Sequence, residues 1–166
     1  MFIRPKVKLE RVTDITIEIL NKYGIKALIL DVDNTLSTHH GQVLTDGLLE
    51  WLELMRKNGI KMTVLSNSKE KRLIPFAEKI GLDFISLGLK PLPFGYWRAL
   101  KRLGTSKKET AIVGDQLFTD IIGGNCVGVT TVLLTPIKLE SSFSFRFKRK
   151  IERFLIRKLK IVNTEE

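Results

Sequence analysis

The sequence predicts an α/β fold, a Rossmann-like doubly wound parallel sheet, and three observations support that prediction. Short apolar runs bounded by turn residues alternate with segments whose apolar residues recur at helical spacing. Polar clusters follow the apolar runs, as they do at the ligand-binding edge of such sheets. A chain of 166 residues, 43% of them hydrophobic, is long enough for one domain with its own core.

The predicted elements alternate along the chain. The first is a helix over residues 12–23, capped by Thr13 or Asp14 and ended by Gly24. Residues 27–30, ALIL, form a continuously apolar run that is typical of a strand buried on both faces. The elements that follow are helix 46–58, strand IKMTVL, helix KEKRLIPFAEKIG with Pro75 expected to kink or split it, strand DFISLG, helix LPFGYWRALKRLG, strand TAIVGD, helix FTDIIGGNCVG and strand VTTVLL.

The chain changes character near Pro136, which predicts a folded domain over residues 1–136 and a basic amphipathic appendage over 137–166. Residues 143–162 carry eight Lys and Arg against one Glu, which is +7 of the net charge of +10. Several apolar residues share roughly one helical face there: Phe143, Phe147, Ile151, Phe154 and Leu155. This composition favours a helix on an anionic membrane surface. Packing on the domain and nucleic-acid binding are the alternatives, and no nucleic-acid motif supports the second.

Composition also bounds the location. The single Cys126 allows no intramolecular disulfide, the N-terminus has no apolar signal-peptide core, and no apolar run approaches the ~20 residues of a spanning helix. We therefore expect a cytoplasmic protein, peripheral on the inner membrane face if the appendage binds lipid. His39 and His40 are expected to be solvated, and both tryptophans are expected in the core.

The polar clusters are the functional signal. DVDNT follows strand 27–30, and SNS, GLKP and GDQLFTD follow the next three strands in order. Because the carboxyl ends of parallel strands share one edge, the clusters should meet there. Asp31, Asp33, Asp115 and Asp120 would repel one another without a cation, and their hard oxygen ligands favour Mg²⁺.

The same residue types suit phosphoryl transfer. Ser66 and Lys90 can hold phosphate oxygens, and Asn67 is a third candidate that also suits a turn residue. A carboxylate can act as a nucleophile and form an aspartyl-phosphate, and Asp33 could serve as general acid. Thr35 is expected to organise the loop. Asp120 has an alternative, purely structural role as a cap for the following helix.

Over residues 25–135, the motifs DVDNT, LSNS, LKP and GDQLFTD resemble those of the haloacid dehalogenase superfamily, subclass IIIA, which implies the fold of that superfamily. The resemblance implies Asp31 as nucleophile and Mg²⁺ ligand, and Asp33 as general acid and base whose carbonyl also binds the metal. It further implies that Ser66 and Lys90 bind the phosphoryl group, that Asp115 ligates Mg²⁺ and that Asp120 supports it.

The chain length and motif details resemble more narrowly the small bacterial YqeG phosphatases, which are related to the phosphatidylglycerophosphate phosphatases of mitochondria and plastids. This implies a phosphomonoesterase acting on phosphatidylglycerophosphate at the membrane surface. The gaps between Asp33, Ser66 and Lys90 leave no room for a folded lid, which suits a bulky or surface-borne substrate. The alternatives are a phosphatase for a soluble sugar, nucleotide or nucleic-acid phosphate, and a non-catalytic phosphate-binding protein. The sequence does not indicate an oligomeric state.

Overall fold

A six-stranded parallel sheet forms the centre of the molecule, in a computed structural model that describes residues 2–38, 43–137 and 143–161. His39 and His40 lie outside those residues. The strand order is β1-β6-β5-β2-β3-β4, and every pairing is parallel. The strands are β1 (Val7–Leu9), β2 (Ala27–Leu30), β3 (Lys61–Leu65), β4 (Phe84–Ile85), β5 (Thr110–Gly114) and β6 (Thr130–Leu134).

Within those residues, six α-helices connect or flank the strands: α1 (Ile17–Lys22), α2 (Leu48–Lys57), α3 (Glu70–Ile80), α4 (Pro93–Leu103), α5 (Ile122–Val127) and α6 (Phe143–Lys158). A five-residue π-helical segment, Leu117–Ile121, precedes α5. The structure confirms the predicted α/β class with helices on both faces of a parallel sheet. Among the described residues, the connection from β2 to β3 contains α2 and no folded cap.

The helices cover both faces because the side chains of the central strands alternate between two cores. Leu28 and Leu30 of β2 point into a core shared with α1, α2 and α3. Ala27 and Ile29 point to the opposite core, which α4 completes. Both faces of β2 are therefore buried, which explains its unbroken apolar sequence.

The start of the chain differs from the prediction. The expected helix 12–23 is divided into a 3₁₀ turn, Val12–Asp14, and the shorter α1. Thr16 caps α1, because its Oγ1 accepts a hydrogen bond from the Ile19 N–H at 3.2 Å, so capping by Thr13 or Asp14 was wrong. Strand β1 was not predicted, since three residues at the sheet edge give too short an alternation to recognise.

Helix α3 runs through Pro75 without dividing, contrary to one of the two outcomes expected. Proline removes the N–H that would bond the carbonyl of Lys71. Both residues lie on the exposed side of the helix, where solvent can hydrogen-bond that carbonyl. The buried side, formed by Leu73, Phe76 and Ile80, stays in register with the core.

Helix α6 docks on the domain with only part of its apolar surface. Leu155 and Ile156 pack against Leu117, Ile121 and Leu133, and Arg4 donates to the Leu159 carbonyl at 2.7 Å. The predicted single apolar face is therefore divided. Three apolar residues spaced i, i+4 and i+7 stay exposed on an outer face: Phe147, Ile151 and Phe154. Within the described part of the chain, no helix combines the length and apolar character needed to cross a bilayer.

Candidate active site

The predicted polar clusters meet at the carboxyl edge of the sheet. Asp31 directly follows β2, Ser66 follows β3 and Asp115 follows β5. Carboxylate oxygens of Asp31, Asp115 and Asp120 lie within 4.8 Å of one another, and all three residues are buried. These three residues are called the carboxylate trio below.

Lys90 places a buried ammonium group among these carboxylates. Its Nζ donates to Asp31 Oδ1 at 2.6 Å and to Asp120 Oδ1 at 2.7 Å. The Asn67 side chain fixes the backbone of Lys90, because its Oδ1 accepts from the Lys90 N–H at 2.8 Å and its Nδ2 donates to the Lys90 carbonyl at 3.1 Å. Asn67 therefore holds Lys90 in position in this structure, while Ser66 Oγ accepts from the Ser68 N–H at 3.1 Å.

The ionisation of the site reflects the competition between burial and charge pairing. Burial raises the pKa of Asp31 to about 7, although the nearby Lys90 ammonium opposes the shift. Burial would lower the pKa of Lys90, but the Asp120 and Asp31 carboxylates outweigh it and raise that pKa above its ordinary value. The carboxylates thus favour the charged form of Lys90, whereas burial favours the neutral form of Asp31 in the metal-free site.

Asp115 is contacted from an unexpected direction, by Arg149 on α6. The Arg149 guanidinium forms an ion pair with Asp115 Oδ2 and donates to the Asp115 carbonyl at 2.8 Å. It also pairs with Glu152 at 3.1 Å. Burial raises the pKa of Asp115 well above its ordinary range, and Arg149 opposes that shift. The helix that docks on the domain therefore contributes a cation to the carboxyl edge of the sheet.

Asp33 lies at the rim of the site rather than among the trio. Its carboxylate forms an ion pair with Arg72 of α3, which also donates to the Ser68 hydroxyl. The loop turns sharply after Asp33, where Asn34 adopts a left-handed conformation with φ of 58°, which asparagine tolerates better than most residues. The Asp33 side chain is thus held where an incoming or leaving group could approach from solvent.

The trio fits a hard divalent cation on structural grounds. Among the described residues, Asp115 Oδ1 and Thr35 Oγ1 are the buried side-chain oxygens that lack a hydrogen-bond partner. A cation beside Asp115 Oδ1 would satisfy that oxygen and reduce the repulsion within the trio. Asp120 does not cap the helix that follows it, so that expected alternative was wrong: its Oδ2 accepts from the Gln116 N–H at 3.2 Å, four residues earlier, and its Oδ1 accepts from Lys90.

Sequence reasoning missed two arginines and a tyrosine at the site. Arg149 was grouped with the surface charges of the appendage, although it is buried. Arg72 gave no signal, since it is one of several basic residues on an amphipathic helix. Tyr96 donates to the Thr119 carbonyl at 2.7 Å and so ties α4 to the segment that contains Asp120. Only the position of Glu152, the single acid in a basic run, hinted at an internal partner for Arg149.

Comparison with known proteins gives consistent family matches. The family model described as haloacid dehalogenase-like hydrolase matches residues 38–128, and the model described as mitochondrial PGP phosphatase matches residues 1–73. The chain is 36% identical over 159 residues to "Probable phosphatase YqeG" of Bacillus subtilis, which covers 96% of this chain and 92% of that protein.

A plant relative and a solved structure extend the comparison. The chain is 28% identical to phosphatidylglycerophosphate phosphatase 1 of Arabidopsis thaliana, across 95% of this chain but 48% of that protein. The crystal structure of 4-nitrophenylphosphatase from Thermotoga maritima superposes with a TM-score of 0.59 and 14% identity, covering 73% of this chain and 89% of that one. At that identity the likeness concerns the fold alone.

Proposed function

The chain belongs to the haloacid dehalogenase-like hydrolases and is a phosphatase, and we propose that it hydrolyses a lipid-borne phosphate monoester through an aspartyl-phosphate. One observation carries the chemical part of the proposal. Asp31 is buried at the sheet edge, 2.6 Å from the Lys90 ammonium and grouped with two further carboxylates. A carboxylate fixed beside a cation and a candidate metal site is arranged to attack phosphorus rather than to stabilise the fold.

The proposed reaction has two displacements. An Asp31 oxygen bonds to phosphorus as the ester oxygen leaves, and Asp33 supplies the proton that makes the leaving group an alcohol. Asp33 then takes a proton from water, whose oxygen attacks the phosphorus and releases phosphate and free Asp31. Lys90 and Ser66 hold the phosphoryl oxygens during both steps, and Asn67 keeps Lys90 in place. Arg72 holds the Asp33 carboxylate at the solvent-facing edge of the candidate site.

We assign Mg²⁺ to Asp31 and Asp115, with the Asp33 carbonyl as a further ligand and Asp120 and Thr35 in supporting roles. When bound, the ion neutralises carboxylate charge and polarises the phosphoryl oxygens. Asp115 suits this role because Arg149 occupies its Oδ2 while its Oδ1 has no hydrogen-bond partner. Arg149 therefore orients the carboxylate without covering both of its oxygens.

Three observations support phosphatidylglycerophosphate as the substrate at a membrane surface. The PGP phosphatase model matches the first 73 residues, and a plant relative along most of the chain carries that activity in its name. The described residues contain no cap over the catalytic edge, which leaves space for a bulky lipid headgroup. The outer face of α6 combines exposed apolar residues with Lys and Arg, as a surface-bound helix does.

A substrate panel tests this assignment. We expect the highest kcat/KM on phosphatidylglycerophosphate, both in vesicles and as a short-chain monomer, because the open edge and basic surface favour an anionic diester next to the scissile group. Sugar phosphates, nucleoside monophosphates, a 5′-phosphorylated oligonucleotide and 4-nitrophenyl phosphate complete the panel. Phosphate release is measured at equal protein concentration. A higher kcat/KM on any of the last four would overturn the lipid assignment and leave the phosphatase activity in place.

Metal removal is expected to stop turnover, and Mg²⁺ is expected to restore it. The trio would otherwise repel the phosphate that it must approach. Mg²⁺ at 100 times its Kd should also raise the unfolding free energy by about 2.7 kcal/mol. The pKa of Asp31 in the metal-free protein is raised to about 7, so a proton competes with the metal for this carboxylate. At a fixed Mg²⁺ concentration, the stabilisation by Mg²⁺ should therefore shrink as the pH falls through about 7.

Calorimetry with and without EDTA measures the stabilisation independently of turnover. Asp115→Asn is the matched variant and should lose most of the Mg²⁺-dependent shift. Full activity in metal-free buffer, or an unchanged shift in Asp115→Asn, would contradict the metal assignment.

A further inference from the structure

A group of large apolar side chains lies exposed beside the catalytic edge, on the segment that carries Lys90. Each is between 51% and 56% exposed, and together they are called the apolar rim: Leu87, Leu89, Leu92, Phe94 and Trp97. Trp97 and Phe94 contact each other edge to face, with ring centroids 5.7 Å apart. The prediction that Trp97 belongs to the core was wrong. The buried face of α4 is formed by Gly95, Tyr96, Ala99 and Leu103.

The backbone fixes the rim in its outward position. The Leu87 N–H donates to the Ser68 carbonyl at 2.9 Å, and the Gly88 N–H donates to the Ser66 carbonyl at 2.8 Å. Leu87 and Leu89 both adopt left-handed conformations, with φ of 46° and 55°, which leucine rarely tolerates. The loop that presents Lys90 to Asp31 thus also directs two leucines into solvent. An exposed apolar cluster held this way is typical of an interaction surface.

The charge of the neighbouring surface identifies the partner. The rim segment and α6 contact the same stretch of chain: Tyr96 binds the Thr119 carbonyl, and Leu155 packs with Leu117. The exposed face of α6 carries Phe147, Ile151 and Phe154. Exposed basic residues lie along one side of that face: Arg146, Lys150, Arg153 and Arg157. A second copy would bring like charge against like charge in a chain of net charge +10. An anionic lipid surface complements both the apolar and the basic groups.

We propose that the apolar rim inserts into the interface of an anionic phospholipid bilayer, while the outer face of α6 lies on the same bilayer. Contact at two places would orient the molecule, because a single helix leaves it free to rotate about that helix. With the rim inserted, the catalytic edge beside Lys90 faces the headgroup layer. This proposal rests on the proposed function in one respect: the orientation brings the site to its substrate only if that substrate is a lipid in the bilayer.

The two tryptophans provide a direct test. Trp97 is 55% exposed, whereas Trp51 is 5% exposed and donates to the Ile15 carbonyl at 2.9 Å. Vesicles of phosphatidylglycerol and phosphatidylcholine are added to the full chain, and the emission spectrum is recorded. We expect a blue shift and, with brominated acyl chains, strong quenching. Trp97→Phe, which retains only Trp51, should show neither change. A blue shift that depends on protein concentration without lipid would indicate self-association and overturn the proposal.

Binding measurements separate the rim from α6. Leu92→Ser/Phe94→Gln removes two rim side chains, and serine is a favourable residue at the N-cap position of Leu92. Vesicle affinity should fall about tenfold or more, and the loss should persist in 1 M salt, where a Debye length of about 3 Å screens the basic face. Leu49→Ser/Leu54→Gln is the matched control on α2, where both leucines are about half exposed. That control should bind vesicles like the wild type.

The outcomes distinguish this inference from the proposed function. Quenching of Trp97 without hydrolysis of short-chain phosphatidylglycerophosphate would support the rim as a membrane contact and overturn the substrate. Hydrolysis of that monomer without quenching of Trp97 would support the substrate and overturn the rim. Equal losses of vesicle affinity in the rim variant and the α2 control would also overturn the proposal, because general hydrophobicity would then explain the binding.

Discussion

Asp31→Asn is expected to lower kcat by at least about 10³-fold while leaving the fold intact. The substitution removes the carboxylate that we propose as nucleophile, and the amide oxygen can still accept the hydrogen bond that Lys90 donates to Oδ1 at 2.6 Å. Turnover is measured by phosphate release at saturating Mg²⁺. Asp46→Asn is the matched control, because Asp46 is exposed and fifteen residues further along the chain, and this variant should keep wild-type activity.

Stability should change in the opposite direction to activity in this variant. Burial raises the pKa of Asp31 to about 7, so the folded metal-free protein holds that proton more tightly than the unfolded chain does. The stability contributed by this group is therefore present at acidic pH and is lost as the pH rises through about 7. In EDTA at pH 8, Asp31→Asn should unfold at a temperature equal to or above that of the wild type. Near-normal turnover in the variant would exclude Asp31 as the nucleophile.

The sheet and most of the candidate site could be predicted because burial leaves a strong pattern in the sequence. Strand β2 packs against helices on both faces, so all four of its residues had to be apolar. The abrupt change from Leu30 to Asp31 then marked the point where the chain leaves the core. The same change after Leu65 and Gly114 placed Ser66 and Asp115 at the same edge.

The contribution of α6 to the site could not be predicted in the same way. Arg149 stands among basic residues that are exposed, and nothing local distinguishes the one arginine that turns inward to Asp115. That choice depends on how α6 docks through Leu155 and Ile156, which is a tertiary property. Arg149 is therefore unsuitable for tests of membrane binding, since its replacement would also expose a buried carboxylate. Lys150, Arg153 and Arg157 lie outside the site and suit that purpose.

The position of Trp97 illustrates a different limit. Helical periodicity shows which residues share a face. At the start of α4, however, apolar residues of the buried face and of the apolar rim stand next to each other in the sequence, so periodicity does not show which of them face the core. Tyr96 is buried and Trp97 is half exposed, although they are adjacent and similarly apolar. One tertiary contact on the buried side is the close approach of Gly95 to the Gly88 carbonyl, which leaves no room for a Cβ and which periodicity does not reveal.

The Lys90→Met variant is expected to lose both activity and stability. Loss of the ammonium that we propose to hold the phosphoryl oxygens should reduce kcat by about 10²–10³-fold. It also leaves Asp31 and Asp120 buried without their cation, and breaking such a pair costs about 3–5 kcal/mol of unfolding free energy. Lys101→Met, at an exposed position of α4, is the control and should change neither quantity. Denaturant unfolding in EDTA and phosphate release with Mg²⁺ measure the two effects separately.

A double variant separates the two roles of Lys90. Lys90→Met/Asp120→Asn removes one of the two unpaired charges while the amide oxygen can still accept from the Gln116 N–H, as Asp120 Oδ2 does at 3.2 Å. Replacing both partners of a buried pair costs far less than removing one, so a large part of the stability should return. Activity should not return, because no ammonium group is then available to hold the phosphoryl oxygens. If turnover recovered together with stability, Lys90 would act only by neutralising Asp120, and its assignment as a phosphate-binding residue would be wrong.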